Sequence, residues 1–120
     1  MKTYARTLLL QDDPQKIEDY KRYHEAVWPE VLAAIRGSGV MGMKIWLLGR
    51  RMFMLMETRD DYDPVRGGGQ YASAPRVQEW ERLMQTLQER APEAPPTQWW
   101  ADMELVFDMD WPQHKVPSSE

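Results

Sequence analysis

The chain contains no cysteine, so disulfides and thiolate chemistry are excluded and the expected setting is a reducing, cytoplasmic one. No apolar run approaches the ~18 residues of a membrane helix. Leu8-Leu9-Leu10 is too short for the core of a signal peptide, and Gln11-Asp12-Asp13 follows at once. Excess basic charge is also missing: 15 Lys and Arg stand against 19 Asp and Glu, a formal charge of −4. Nucleic-acid binding calls for clustered cations, and the one tight basic pair in strand-like sequence, Arg50-Arg51, falls at a turn. Neither a nucleic acid nor a membrane is therefore expected as a partner. Histidine is scarce, with two in the chain. No metal-ligand spacing and no Ser/His/Asp set occurs, and Gly67-Gly68-Gly69 lacks the Lys-Ser/Thr of a phosphate loop. Neither metal nor cofactor is expected.

What remains is an ordinary globular balance, 42% apolar and 28% charged over 120 residues, which is one domain's worth. We read residues 1–110 as that domain and 111–120 as a polar tail. Thr3 to Gln11 is strand-like and stops at Asp12-Asp13-Pro14, where Asp13 suits an N-cap and Pro14 the first helical position. Ile17, Tyr20, His24, Val27, Trp28, Val31 and Ile35 then recur at spacings of three and four, one stripe of a helix. Pro29 kinks that helix or divides it in two. Val40 to Leu48 and Arg51 to Thr58 read as a hairpin about Gly49-Arg50, with Met52, Met54 and Met56 on one face. Arg59 to Ala72 reads as a loop. Pro75 opens a helix with Val77, Trp80, Met84 and Leu87 as its buried stripe, the proline-rich Ala91 to Thr97 is a linker, and Met103 to Asp108 is the last strand. The order β-α-β-β-α-β is the ferredoxin-like α+β arrangement, an antiparallel sheet with helices on one face. The other face needs a cover, commonly a second subunit in a dimeric α+β barrel, so a homodimer is expected.

His24 lies on the apolar stripe one turn after Tyr20. It is either a core histidine bonded to a carbonyl or a general acid/base, since imidazole titrates near neutrality. His114 falls in the tail. Six tryptophans form the second signal. Trp28, Trp46 and Trp80 sit on regular elements and Trp99-Trp100 precede the last strand; each is a core residue or a platform for a sugar ring. Glu57 and Glu104 fall on strands, where an inward carboxylate is costly unless paired, so each is either functional or at a wet edge.

Tyr20-Lys21-Arg22-Tyr23-His24 followed by Val27-Trp28-Pro29-Glu30 resembles the Tyr-x-x-x-His-x-x-x-Trp-Pro-Glu signature of the L-rhamnose mutarotase family. The resemblance continues through Lys44-Ile45-Trp46, Met54 to Glu57 and Pro75 to Trp80, covering Thr3 to Asp108. It implies a dimeric barrel without metal or organic cofactor, a monosaccharide substrate, His24 as proton donor and Tyr20 against the sugar. Trp80 matches the first of a sugar-binding Trp-Trp pair in rhamnose-specific members, whereas Glu81 and Met43 depart from binding Trp and Tyr positions. Pro75 to Glu81 and the Trp100 to Phe107 segment look more like the branch associated with L-fucose catabolism. The expectation is a mutarotase for a 6-deoxyhexose, L-fucose or L-rhamnose: His24 and Tyr20 carry the proton transfer, and Trp28, Trp46, Trp80 and Glu104 hold the sugar. The alternatives are a cofactor-free oxygenase on the same fold or a non-catalytic small-ligand module.

Overall fold

The computed structural model describes residues 1–114. The long strands are β1 (Lys2–Leu10), β2 (Val40–Leu48) and β3 (Arg51–Thr58); two short ones, β4 (Gln88–Glu89) and β5 (Ala101–Asp102), follow late in the chain. The sheet runs β2-β3-β1-β4, with β5 on the same edge of β1 as β4 and every pairing antiparallel. This is the expected ferredoxin-like order, with the last strand divided in two.

The helices are α1 (Pro14–Glu25), α2 (Pro29–Gly37), α3 (Pro64–Ala72) and α4 (Pro75–Gln85). Asp13 caps α1 by accepting from the backbone N–H groups of Gln15 and Lys16, and Pro14 occupies the first turn. Pro29 divides the long apolar stripe into α1 and α2. The hairpin between β2 and β3 turns at Gly49, whose φ of 63° is the left-handed region that glycine tolerates.

Side-chain alternation decides which strand residues meet the helices. Leu8 and Leu10 of β1 and Met52 of β3 pack with Tyr20, Val31, Val77, Trp80 and Met84 into the main core. Met54 and Met56 join Val40 and Tyr62 in a neighbouring cluster. Full burial of each such side chain contributes about 1.5–3 kcal/mol. The opposite face carries Leu9, Trp46, Leu48, Phe53 and Leu55, and among the described residues no helix lies over it; Trp46 is 49% and Leu48 86% exposed.

Two expectations are corrected. Residues 59–72 are not all loop, because α3 forms over Pro64–Ala72 in spite of three glycines. Asp63 caps it through Val65 and Arg66, repeating the Asp-Pro start of α1, and Gly67 lets the helix lie against the buried Tyr62 ring. The last strand is not Met103 to Asp108. Only Ala101–Asp102 pairs fully with β1, and a single further bond joins the Met103 N–H to the Ala5 carbonyl at 2.9 Å. Beyond it Leu105, Val106 and Phe107 are 60–75% exposed, since nothing among the described residues covers them. Of the 111–120 tail, Pro112–His114 forms one helical turn and His114 stacks on Trp111; residues 115–120 lie outside the described residues.

A Cβ at Gly67 would sit 2.9 Å from Tyr62 Cζ, whereas one at Gly68 would meet nothing within 4 Å. Gly67→Ala is expected to destabilise by about 1–3 kcal/mol through overpacking. Gly68→Ala is expected to stabilise by up to about 1 kcal/mol through helix propensity. Urea denaturation of the two variants checks the opposite signs.

Candidate active site

The i, i+4 spacing on α1 places His24 directly beyond Tyr20 on the face turned to the sheet. The two rings stack with centroids 4.0 Å apart and planes 22° from parallel. His24 Nδ1 lies 2.9 Å from the Tyr20 carbonyl oxygen. A carbonyl can only accept, so Nδ1 carries the hydrogen and the neutral ring keeps its lone pair on Nε2. Burial pushes the imidazole pKa below its ordinary value of 6.5, and the bond to the Tyr20 carbonyl offsets part of that. At neutral pH His24 is thus a neutral base. It borders a cavity of about 270 Å3 lined also by Tyr20, Lys21, Glu25, Ile45, Trp46, Leu47 and Met52.

Trp80 backs this pair from α4. It is 4% exposed and presents an edge to the imidazole at 5.3 Å. Trp28, at the start of α2, meets Trp80 edge-on at 5.2 Å, and the Arg76 guanidinium lies 3.9 Å above the Trp28 ring. Tyr20, His24, Trp28 and Trp80 therefore form one group. Of the remaining two expected residues, Trp46 shares the cavity lining with Tyr20 and His24, and Glu104 does not. Trp46 lines the His24 cavity, but its ring packs on Phe53 at 5.4 Å on the open face of the sheet, because Ile45 and Leu47 take the helix side. Glu104 is exposed on the extended segment after β5 and lines neither cavity.

Three polar residues that act on Tyr20 or on one another beside it were not singled out as site residues by the sequence. Glu81 of α4 accepts a hydrogen bond from the Tyr71 hydroxyl of α3 at 2.7 Å. Burial pushes the Glu81 carboxyl pKa up, against the pull of that bond. The Tyr71 phenol is pushed up by burial and by the neighbouring Glu81 charge. The Tyr20 phenol is likewise raised, chiefly by burial, with the Gln88 side chain acting against it as a hydrogen-bond partner and Glu81 adding to it. Both phenols therefore remain protonated throughout the neutral range. Glu81 and Gln88 line a second cavity of about 540 Å3, walled by Trp99 and Trp100 and bordered by Arg6 and Asp102. The wall is held by Arg90, whose guanidinium donates to the Ala94, Pro95 and Gln98 carbonyls, and by the Ala91 N–H to the Trp99 carbonyl. A carboxylate beside Trp80 on an otherwise apolar helix stripe was the available sequence signal for Glu81; Tyr71 was hidden in the stretch read as loop. Among the described residues no three His, Cys, Asp or Glu side chains converge as a metal-holding group, and no helix is long and apolar enough to cross a membrane.

The chain is similar to several known proteins over nearly its whole length. A protein of the UPF0734 group from Dictyostelium discoideum is 42% identical over 114 residues, 92% of this chain and 91% of its own. An L-fucose mutarotase from Xanthomonas campestris pv. campestris is 36% identical over 109 residues, covering 89% and 87%. An L-rhamnose mutarotase from Acidiphilium cryptum is 26% identical over 90 residues, covering 73% and 83%. The crystal structure of an L-rhamnose mutarotase from Formosa agariphila superimposes with a TM-score of 0.68 at 20% identity, covering 92% of this chain and all of that one, which establishes the shared fold. The sequence pattern described as L-rhamnose mutarotase matches residues 3–109, and with that extent of match the chain belongs to the L-rhamnose mutarotase family.

Proposed function

We propose that this chain is a mutarotase that interconverts the α and β anomers of a 6-deoxyhexose, with His24 as the acid/base and Tyr20 as its hydroxyl partner. The observation that carries the reading is a neutral imidazole whose Nε2 is left free by the Nδ1 bond, standing at a cavity against a buried phenol. Family membership and relatives named for mutarotation of L-fucose and L-rhamnose support it. The relative named for L-fucose is the more similar of the two, which favours L-fucose over L-rhamnose as substrate.

The chemistry asks little of the protein. His24 Nε2 takes the proton of the anomeric hydroxyl while the bond from C1 to the ring oxygen breaks and C1 becomes a carbonyl. The ring oxygen receives a proton from the Tyr20 hydroxyl, whose raised pKa keeps the phenol protonated until that moment. Rotation about the C1–C2 bond presents the other carbonyl face, and the same transfers in reverse close the ring and restore both groups. Trp80 and Trp28 form the apolar wall behind the imidazole. No covalent intermediate and no change of oxidation state is involved.

The enzyme acts as a homodimer in this reading. The open sheet face with Trp46, Leu48 and Phe53 and the exposed Leu105, Val106 and Phe107 are apolar surfaces of the kind a second copy covers. Trp46 then serves the subunit contact, and Glu104 is carried on the segment that contributes to it.

Saturation-transfer NMR on the anomeric protons of L-fucose, L-rhamnose and D-glucose tests the reaction directly. Protein-accelerated exchange is expected for a 6-deoxy sugar, and His24→Ala should reduce it by on the order of 10²–10⁴-fold; wild-type exchange in that variant would remove His24 from the mechanism. The pH profile follows from the lowered imidazole pKa. The base form persists as pH falls through 6.5, so exchange should hold there and decline only at lower pH. A midpoint at or above 6.5 would contradict the assignment. Sedimentation equilibrium is expected to give twice the chain mass, and Leu48→Glu on the open face should shift it toward the monomer.

A further inference from the structure

We propose that Arg76 is a positioning residue for the reaction: by clamping Trp28 to the start of α4, it holds the indole wall that fixes the His24 imidazole. This deepens the mutarotase reading and rests on it. The place of Arg76 in the chain argues against a purely local role. It follows Pro75 in the first turn of α4, where the helix dipole favours anions over cations. Neither α2 nor α4 has a side-chain cap: Trp28 and Ala74 stand at their N-caps without one, whereas Asp13 and Asp63 cap α1 and α3. Arg76 joins the two uncapped starts. Its guanidinium lies 3.9 Å above the Trp28 ring centroid. Its Nη1 donates to Glu79 Oε2 at 2.8 Å on α4, and its Nε stands 3.9 Å from Glu30 Oε2 on α2. Both carboxylates are about half exposed, so these ion pairs contribute little stability by themselves. Their effect is directional: they keep the guanidinium over the indole, where the ring face attracts it.

The clamp reaches the imidazole through two edge-on contacts, Trp28 to Trp80 at 5.2 Å and Trp80 to His24 at 5.3 Å. Trp28 also stands where α1 has ended at Glu25 and α2 has not yet begun, so holding it fixes the chain break beside His24 as well as the wall behind it. Along this row exposure falls from 45% for the Arg76 side chain to 4% for Trp80. Arg76 is thus the outer closure of a stack whose inner end is the imidazole. A loosened Trp28 admits water behind Trp80 and frees the imidazole plane, and a better-solvated imidazole accepts a proton more readily. Other charges do not complicate the readout. Lys21 and Glu25, the charged groups lining the His24 cavity, both stand on α1; the sheet side offers Ile45, Trp46, Leu47 and Met52, and the flanking Tyr20 and Trp80 are neutral.

The chain has two histidines, so an NMR pH titration of the imidazole Cε1–H signals reads His24 directly, with His114 as internal reference. The full chain is compared with Arg76→Lys, Arg76→Ala and Glu79→Gln. Lysine keeps the charge of Arg76 but not its planar face. In both Arg76 variants the His24 midpoint should rise toward 6.5, by about a few tenths of a pH unit, while His114 stays in place. Their kcat for anomer exchange should fall about two- to fivefold with KM unchanged, the size of an exposed cation–π contact. Glu79→Gln leaves Arg76 in place but loosens it, and should raise the His24 midpoint by less. Loss of an anion would by charge alone lower that midpoint, so the sign separates position from charge. A rise in Arg76→Ala alone would mark a charge effect and overturn the proposal. So would a lowered midpoint in Glu79→Gln, an unmoved His24 throughout, or a raised KM at constant kcat, which would make Arg76 a sugar contact. Anomer exchange in the wild type with His24 unmoved in the variants removes this inference and leaves the mutarotase reading standing. Absence of exchange in the wild type removes that reading, and the imidazole titration still decides whether Arg76 positions His24.

Discussion

The contact on which the rest depends is a single turn of α1 in which the His24 imidazole is tied to the Tyr20 carbonyl and laid flat against the Tyr20 ring. The tie fixes which nitrogen carries hydrogen, and the stack, with Trp80 edge-on behind it, fixes the ring plane. Burial then does the chemical tuning, since a desolvated imidazole resists a positive charge. A histidine in the same place but open to water would titrate as an ordinary surface group and hold no fixed tautomer. Asp13, Pro14 and the apolar stripe of α1 serve this site at a distance, because they set the phase with which Tyr20 and His24 meet the sheet.

Around Tyr20 the surrounding structure pushes two titratable groups in opposite directions by one cause. Desolvation keeps His24 neutral and a base, and makes the Glu81 carboxyl reluctant to ionise. The same desolvation holds the Tyr20 and Tyr71 phenols protonated. A small domain of this kind can supply a base, hydroxyl donors and a partly desolvated carboxyl within neighbouring side chains. That inventory suits the proposed reaction, in which proton transfers open and close a hemiacetal and no oxidation state changes. It is also uneven in cost: the apolar wall of the His24 cavity stabilises the fold, whereas the polar wall of the larger cavity depends on Arg90 bonding three carbonyls of the loop that carries Trp99 and Trp100.

Much of this architecture was legible in the chain. The Met52, Met54, Met56 alternation named the buried face of β3, and all three are buried. Pro29 divided the apolar stripe where the structure divides it. The helix α3 was missed because three glycines outweighed its Asp63-Pro64 start, although that start repeats the one correctly read at Asp13-Pro14. Propensity is a weak prior, and here a close approach of backbone to Tyr62 made glycine an asset. The final strand was misplaced because Met103 to Phe107 has strand composition, but composition does not say whether a neighbour exists to pair with it.

By itself the sequence determined local things: the caps, the i, i+4 pairing of Tyr20 with His24, the strand periods and the family to which the chain belongs. These depend on residues near one another in the chain, so spacing is enough to specify them. Tertiary structure alone decided what those residues face. It turned the Trp46 ring onto Phe53, because strand register assigns Met43, Ile45 and Leu47 of β2 to the helix side. It also brought Tyr71, Glu81, Tyr20 and Gln88 together from four separate segments. Burial and long-range contact set the pKa directions and the cavities, and neither quantity exists until the chain has packed.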